Sequence, residues 1–201
     1  RSLADDRALL RYLMRHLHTS PFEGCVIKLH VKLPIFVMRQ WVRHRTASLN
    51  EYSARYSIMP DEFYLPDPSQ LAVQSKDNKQ GRGETLSAEQ AAEVLRLLKE
   101  DAARSFDTYH KLLNADEEGK ALDEDGIGIA RELARIGLPV SAYTQMYWQT
   151  NLHNLMHFLR LRADVHAQYE IRVFADKILE IMADWVPVTT EAFRDYQLDA
   201  A

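Results

Sequence analysis

Only one cysteine, Cys25, occurs among the 201 residues. A lone thiol excludes an internal disulfide and fits a reducing compartment. Also missing is any apolar run of membrane-spanning length, and no signal peptide is visible, so the expected location is cytoplasmic, with no membrane partner. No linker, internal repeat or low-complexity tract divides the sequence. With 46% hydrophobic content, residues 1–201 are expected to form a single domain with a sizeable core. Positive charge is scarce as well: the formal net charge is -4, and residues 84–125 hold twelve acidic side chains against five basic ones. Affinity for nucleic acid comes from neutralising many phosphates along a basic face, and this balance argues against it.

The positive charge that is present gathers in one place. Residues 39–55 carry four arginines, Arg39, Arg43, Arg45 and Arg55, against the single carboxylate of Glu51. Guanidinium groups offer planar forks of donors that match phosphate and carboxylate oxygens two at a time, and Ser48, Asn50 and Ser53 add neutral donors. The implied ligand is a small, polyanionic, hydrogen-bonding molecule. A solvated basic face is the plainer alternative.

Apolar periodicity sketches the elements around this segment. Leu9, Leu10, Leu13 and Leu17 have the spacing of a helix over 5–16 with one buried side, ended by Ser20-Pro21. Over 25–33, Cys25, Ile27, Leu29, Val31 and Leu33 alternate with Val26, Lys28, His30 and Lys32, which predicts a half-buried strand. Pro34 suits the first turn of a helix through Arg43, which sets Gln40, Arg43 and His44 on one side. Residues 46–51 read as a loop, 52–59 and 62–65 as short strands, and 69–83 as an exposed, mobile polar loop. Ser87-Ala88-Glu89-Gln90 is a capping box that opens a helix to about residue 113, stopped by Asn114. A second helix is expected over 123–136, closing on Gly137, and a strand over 140–150. Asn151 can cap the next helix, and Asp164 a long one bearing the stripe Ala167, Ile171, Phe174, Ile178, Met182 and Trp185. The fold class is α+β, an antiparallel sheet carrying 25–33 and 140–150 flanked by long helices.

Several side chains invite chemical readings. His153 and His157 lie four apart and point the same way, a spacing that zinc uses. No glutamate on the same turn and no third ligand accompany them, so a metal site is not expected; two surface histidines is the plainer reading. Arg162 ends one helix just before the next begins, where a side chain can reach into a cleft, and Arg160 stands two residues away as a competing surface charge. Arg135, in the last turn of its helix, complements the helix dipole. Ser53 has no oriented base beside it and is not read as a nucleophile. Cys25 lies on the apolar face of its strand, where burial blocks thiol chemistry.

Arg43-His44-Arg45, then seven residues, then Ser53, with Ser48, Asn50 and Arg55 at their intervals, resembles the signature of the flavin-dependent thymidylate synthases. His18-Thr19-Ser20-Pro21-Phe22-Glu23 and residues 151–164 look like the family's other two boxes, so the resemblance spans most of the chain. It implies the family's fold and the reductive methylation of dUMP to dTMP. In that reaction 5,10-methylenetetrahydrofolate supplies the carbon, reduced FAD the hydride, and NADPH re-reduces the flavin. An enzyme with no available thiol must activate uracil without covalent attack, which fits this flavin route.

By the same resemblance, Gln40, Arg43, Glu51, Ser53, Arg55, Arg135 and Arg162 hold or activate dUMP, with Arg162 the catalytic residue that polarises the uracil ring. Ser20, Arg43, His44, Arg45, Glu51, Asn151, His153 and His157 hold FAD, although the family often has arginine and asparagine where His153 and His157 stand. His18 and Tyr56 match positions near the flavin ring and the folate site. The resemblance also implies a homotetramer with sites shared between subunits. Because the chain opens at Arg1, a further upstream segment that contributes to the flavin site is expected too. A non-catalytic nucleotide- or flavin-binding module is the alternative.

Overall fold

The computed structural model describes residues 2–198. Its elements run α1 (Leu3–Arg15), α2 (Ser20–Glu23), β1 (Val26–Pro34), α3 (Ile35–Trp41), β2 (Ser48–Glu51), β3 (Ala72–Gln74), β4 (Arg82–Thr85), α4 (Ala88–Leu113), α5 (Arg131–Ala134), β5 (Tyr143–Asn151), α6 (Leu152–Arg162), α7 (Tyr169–Trp185) and α8 (Pro187–Phe193). Strand order is β1-β5-β2 in a three-stranded sheet, and β3 pairs antiparallel with β4 in a second. This is the α+β class that the alternating and helical stretches predict. No helix among the described residues is long and apolar enough to cross a membrane.

The residues gather into two compact units. One holds Gln40–Leu49 with the described residues up to Leu29 and from Tyr147 onward; the other holds His30–Arg39 and Asn50–Met146. In the first, α6 packs on α2 and α7, and α8 packs on α1 and α7. Its centre is aromatic: the fully buried Trp41 ring lies 4.6 Å from Phe158, 5.5 Å from Trp148 and 5.9 Å from Phe174. The stripe on α7 is buried at Ile171, Ile178 and Met182, while Trp185 at its end is exposed. Ion pairs of Arg7 with Glu191 (3.3 Å) and Arg11 with Asp195 (2.6 Å) tie α1 to the C-terminal residues.

In the second unit, α4 is the spine. Ser87 and Gln90 form the expected reciprocal cap at its start, and Asn114 closes it in the left-handed conformation (φ 51°). Met59, Phe106, Tyr109, Ala134 and Ala142 form the core, and the Tyr109 hydroxyl accepts the Met59 amide at 3.0 Å. His110 is fixed from both ring nitrogens, Nδ1 to the Ala115 carbonyl at 2.8 Å and Nε2 to the Asp61 carboxylate at 2.7 Å. Burial opposes charge on this ring, but the Asp61 and Ala115 acceptors outweigh it and hold its pKa above the ordinary histidine value.

Where the structure departs from the sequence reading, local hydrogen bonds explain the difference. Pro34 ends β1 instead of opening a helix, because the Ile35 and Phe36 amides bond to Ala142 and Val140 carbonyls at 3.0 and 2.9 Å. The helix stops at Trp41, and Arg43 and His44 follow in a tight turn whose amides reach Gln40 (3.2 Å) and Trp41 (2.9 Å). Ser20-Pro21 starts the short α2. Residues 48–51, read as loop, form β2, and 52–59 are irregular; all four β2 side chains are exposed, so no alternation betrays the strand. Of residues 62–65, only Phe63 makes a bridge, to Ala142. The supposed loop 69–83 contains the β3–β4 hairpin, whose turn is closed by the Gln74 amide on the Asn78, Lys79 and Gly81 carbonyls at 3.1–3.2 Å. Of the helix expected over 123–136 only α5 and a 3-10 turn form. Residues 123–126 instead wrap around Asn114, whose amide donates to Asp123 (2.8 Å) and Gly126 (2.9 Å), and a side chain at Gly128 would collide with the Leu113 carbonyl. Asp164 caps the turn at His166 (2.7 Å), and the long helix begins after Gln168.

Two tests follow from these cores. Trp41→Ala removes the ring at the centre of the aromatic cluster and is expected to cost about 3–5 kcal/mol in urea unfolding. Because His110 has its pKa raised by folding, its contribution is present below pH 6.5 and lost as pH rises through the folded value. In Asp61→Asn the unfolding midpoint should fall at pH 5.5 toward its value at pH 8.5; an unchanged pH profile would remove the clamp from the stability of this unit.

Candidate active site

Trp41 sets the position of the turn that follows it. With the indole buried, the next residues must leave the core, and Arg43, His44, Arg45 and Thr46 emerge along one wall of a cavity of about 340 Å³. The opposite wall is α6, which presents Asn154, His157 and Leu161 at helical spacing and Arg162 at its end; Trp148 lies behind. Every one of these residues belongs to the first unit.

One polar contact in this cavity joins its two walls. Arg162 Nε donates to His44 Nε2 at 3.1 Å, so the His44 ring is neutral and carries its proton on Nδ1. Burial, with the Arg162 charge and His157 beside it, pushes the His44 pKa down to about 4. His157 is lowered too, by burial and then by Arg160 and His153. Burial also lowers Arg162, which stays a cation because guanidinium is not deprotonated in proteins. Among the described residues no carboxylate pairs with Arg43 or Arg45. The cavity is therefore strongly positive, with an aromatic wall and amide and imidazole groups.

A second cavity, of about 460 Å³, lies within the second unit. Arg39, Glu51, Ser53 and Arg135 line it, with Tyr52, Glu132 and Thr144, and Ile35, Met59, Leu138 and Pro139 form apolar walls. Thr144 donates its hydroxyl to Glu51 at 2.9 Å and so fixes that carboxylate. Among the described residues Arg135 makes one long bond, 3.4 Å from Nε to the Glu132 carbonyl, and its terminal nitrogens make none. Arg55 pairs with Glu132 at 3.2 Å and does not line the cavity.

The residues singled out in the sequence are thus divided. Arg43, His44, Arg45, His157 and Arg162 meet in the first cavity; Glu51, Ser53 and Arg135 meet in the second. Gln40 bonds to Gln168. Asn151 accepts the Asn154 amide at 2.9 Å as the cap of α6, and His153 is half-buried on that helix. Ser20 is exposed at the start of α2, His18 is exposed with its ring edge-on to Tyr12 at 5.9 Å, and Tyr56 is 74% exposed beneath the Arg55 guanidinium. Thr46, Asn154 and Trp148 in one cavity, and Glu132 and Thr144 in the other, escaped the sequence reading. Asn154 was open to discovery, since it lies three residues from both Asn151 and His157 on one helical face. Arg39, counted with Arg43 in one arginine cluster, lines the second cavity and not the first.

Comparison with known proteins places this geometry in a family. The family model described as thymidylate synthase complementing protein matches residues 1–188. A flavin-dependent thymidylate synthase of Rickettsia conorii (strain ATCC VR-613 / Malish 7) is 59% identical over 202 residues, covering 100% of this chain and 69% of that protein. One from Ruegeria pomeroyi (strain ATCC 700808 / DSM 15171 / DSS-3) is 58% identical over 200 residues, covering 100% of this chain and 64% of that protein. Among solved structures, a UMP/dUMP methylase PolB from Streptomyces cacaoi bound with 5-Br dUMP superposes with a TM-score of 0.83 at 37% identity, covering 98% of this chain and 82% of that one. The match across 1–188, together with near 60% identity to enzymes of one name, means that this chain belongs to the flavin-dependent thymidylate synthase family.

Proposed function

We propose that this chain catalyses the reductive methylation of dUMP to dTMP, with 5,10-methylenetetrahydrofolate as carbon donor, FAD as its resident cofactor and NADPH as reductant. The observation that carries this reading is the first cavity, where two unpaired guanidiniums and a third held by a neutral histidine share one small volume. That donor set fits an FAD: Arg43 and Arg45 suit its pyrophosphate, and Asn154, His157 and Trp148 suit a flat heteroaromatic ring edged with acceptors. When bound, the flavin supplies the hydride that the protein itself cannot. His44, Arg45, Asn151, His153, His157 and Ser20 are assigned to this cofactor, and Arg43 and Glu51 to cofactor and nucleotide together.

The protein's own contribution is position and charge. A guanidinium beside N3 and a carbonyl of uracil stabilises the anion left when N3 loses its proton, and the electron density so gained at C5 makes that carbon nucleophilic. We assign this role to Arg162, whose terminal nitrogens make no other bond among the described residues. Arg160, two residues away, leans on His157 at 3.5 Å and is the surface charge of the pair. In the second cavity Arg135 and Ser53 would grip the nucleotide phosphate, with Gln40 and Arg55 as further contacts. His18 and Tyr56, both exposed, would meet the folate or nicotinamide. We further propose a single functional domain, a homotetramer whose sites draw residues from different subunits, and a cytoplasmic location.

Tritium release from C5-labelled dUMP, with folate and NADPH, tests the reading directly. Wild type should release tritium, and Arg162→Ala should lose about 10²–10³-fold with its circular dichroism unchanged. Equal release would take Arg162 out of the mechanism, and release from labelled UMP alone would overturn the choice of substrate. A colourless protein, or a yellow one that NADPH fails to bleach, would favour the binding module. Arg135→Ala is expected to raise KM for dUMP by about tenfold with kcat little changed, measured in the same assay.

A further inference from the structure

Nothing in the assignment of His44 to the cofactor explains why its ring sits on Arg162. The contact has a definite sense: the guanidinium gives the Nε hydrogen, and imidazole Nε2 receives it at 3.1 Å. The ring is itself held, edge-on to Phe158 at 4.9 Å and to His157 at 6.0 Å, and Phe158 is fully buried against Trp41 and Trp148. A half-buried arginine is otherwise free to rotate about its side-chain torsions, and its charge is useful only if its donors are aimed before the substrate arrives. A bond at Nε fixes the guanidinium plane and leaves the four terminal N–H groups unspent.

We propose that His44 is a positioning residue for Arg162: its neutral ring holds the guanidinium by its Nε edge and so presents both terminal nitrogens to the nucleobase. The proposal rests on the reading of Arg162 as the group that activates uracil. It adds that the cofactor-side histidine and the substrate-side arginine form one device. Nδ1 still carries a hydrogen, so the same ring remains a donor toward the cavity while Nε2 serves Arg162.

The device works only while His44 is neutral. Protonation would set an N–H against the Nε–H of Arg162, destroying the bond and placing two cations in contact. The groups that face the ring all reinforce neutrality. Arg162 and His157 come from α6, with Arg160 and His153 beyond them; Arg43 and Arg45 flank the ring in the chain and share its cavity; among the described residues no carboxylate lines that cavity. The low pKa of His44, about 4, follows from that surrounding and keeps the acceptor available at neutral pH.

The test is a double-mutant cycle read by dUMP binding to the FAD-loaded, full-length protein, followed through the flavin absorbance change, which remains measurable when chemistry is lost. His44→Ala is expected to weaken dUMP about tenfold in the wild-type background and less than about twofold in Arg162→Ala. His44→Gln, whose amide oxygen can accept the same hydrogen at any pH, should recover most of the affinity. The ratio of His44→Gln to wild-type affinity, in which titration of the ligand cancels, should rise as pH falls below about 5. Equal losses in both backgrounds, or a ratio flat with pH, would overturn the proposal. Unimpaired tritium release in Arg162→Ala alone would overturn the reading beneath it, and that result is separate from the cycle. Should His44→Ala lose its flavin or its folded circular dichroism, the His44→Gln arm and its pH ratio decide the question.

Discussion

The charged turn of this protein hangs from one apolar side chain. Trp41 ends α3 with its indole fully buried among Trp148, Phe158 and Phe174, and that burial fixes where the chain must go next. On the turn that follows, Arg43 and Arg45 are exposed and the neutral His44 is half-buried. Their convergence on α6 is imposed by packing a few residues away, since nothing of opposite charge draws them there. The same aromatic group supports α6 from within, so one cluster orients both walls of the cavity.

Charges elsewhere on the molecule are treated differently. Arg96 lies between Glu93 and Glu100 at 2.7 Å each, Lys111 meets Asp107 at 2.6 Å, and Arg55 meets Glu132. These exposed pairs each contribute little to stability. What sets Arg43 and Arg45 apart is that both line the one cavity that also holds Arg162. Arg43 and Arg45 are exposed at the rim of a cavity with no carboxylate partner among the described residues, an arrangement open to anions from outside the chain.

How much of this was legible depended on whether a residue's role is written in periodicity. The strand through Val31 and Leu33, the strand through Met146 and Trp148, and the capped helix from Ser87 to Asn114 bury alternate or helical faces, and the sequence displays that pattern plainly. β2 and the β3–β4 hairpin bury almost nothing and are held by backbone pairing and one glutamine side chain, so they left no apolar trace. In the site, the Arg43-His44-Arg45 cluster and Arg162 were found by charge and motif. Thr144, Trp148 and Asn154 were missed because a threonine on a buried strand face or a tryptophan in a core looks structural from sequence alone. The partition of the signature between two cavities was equally invisible: it depends on α3 ending at Trp41, two residues short of the point that the sequence suggests.

The open guanidiniums bear on the unfolding equilibrium as well as on recognition. Like charges gathered in one small volume are an electrostatic burden on the folded chain, and an unfolded chain would let them separate. A bound dinucleotide or nucleotide phosphate relieves the burden, and it engages the folded form alone. By mass action, a ligand at a hundredfold excess over its Kd adds about 2.7 kcal/mol to the folded state. Ligand concentration thus enters the folding equilibrium of this protein as well as its occupancy.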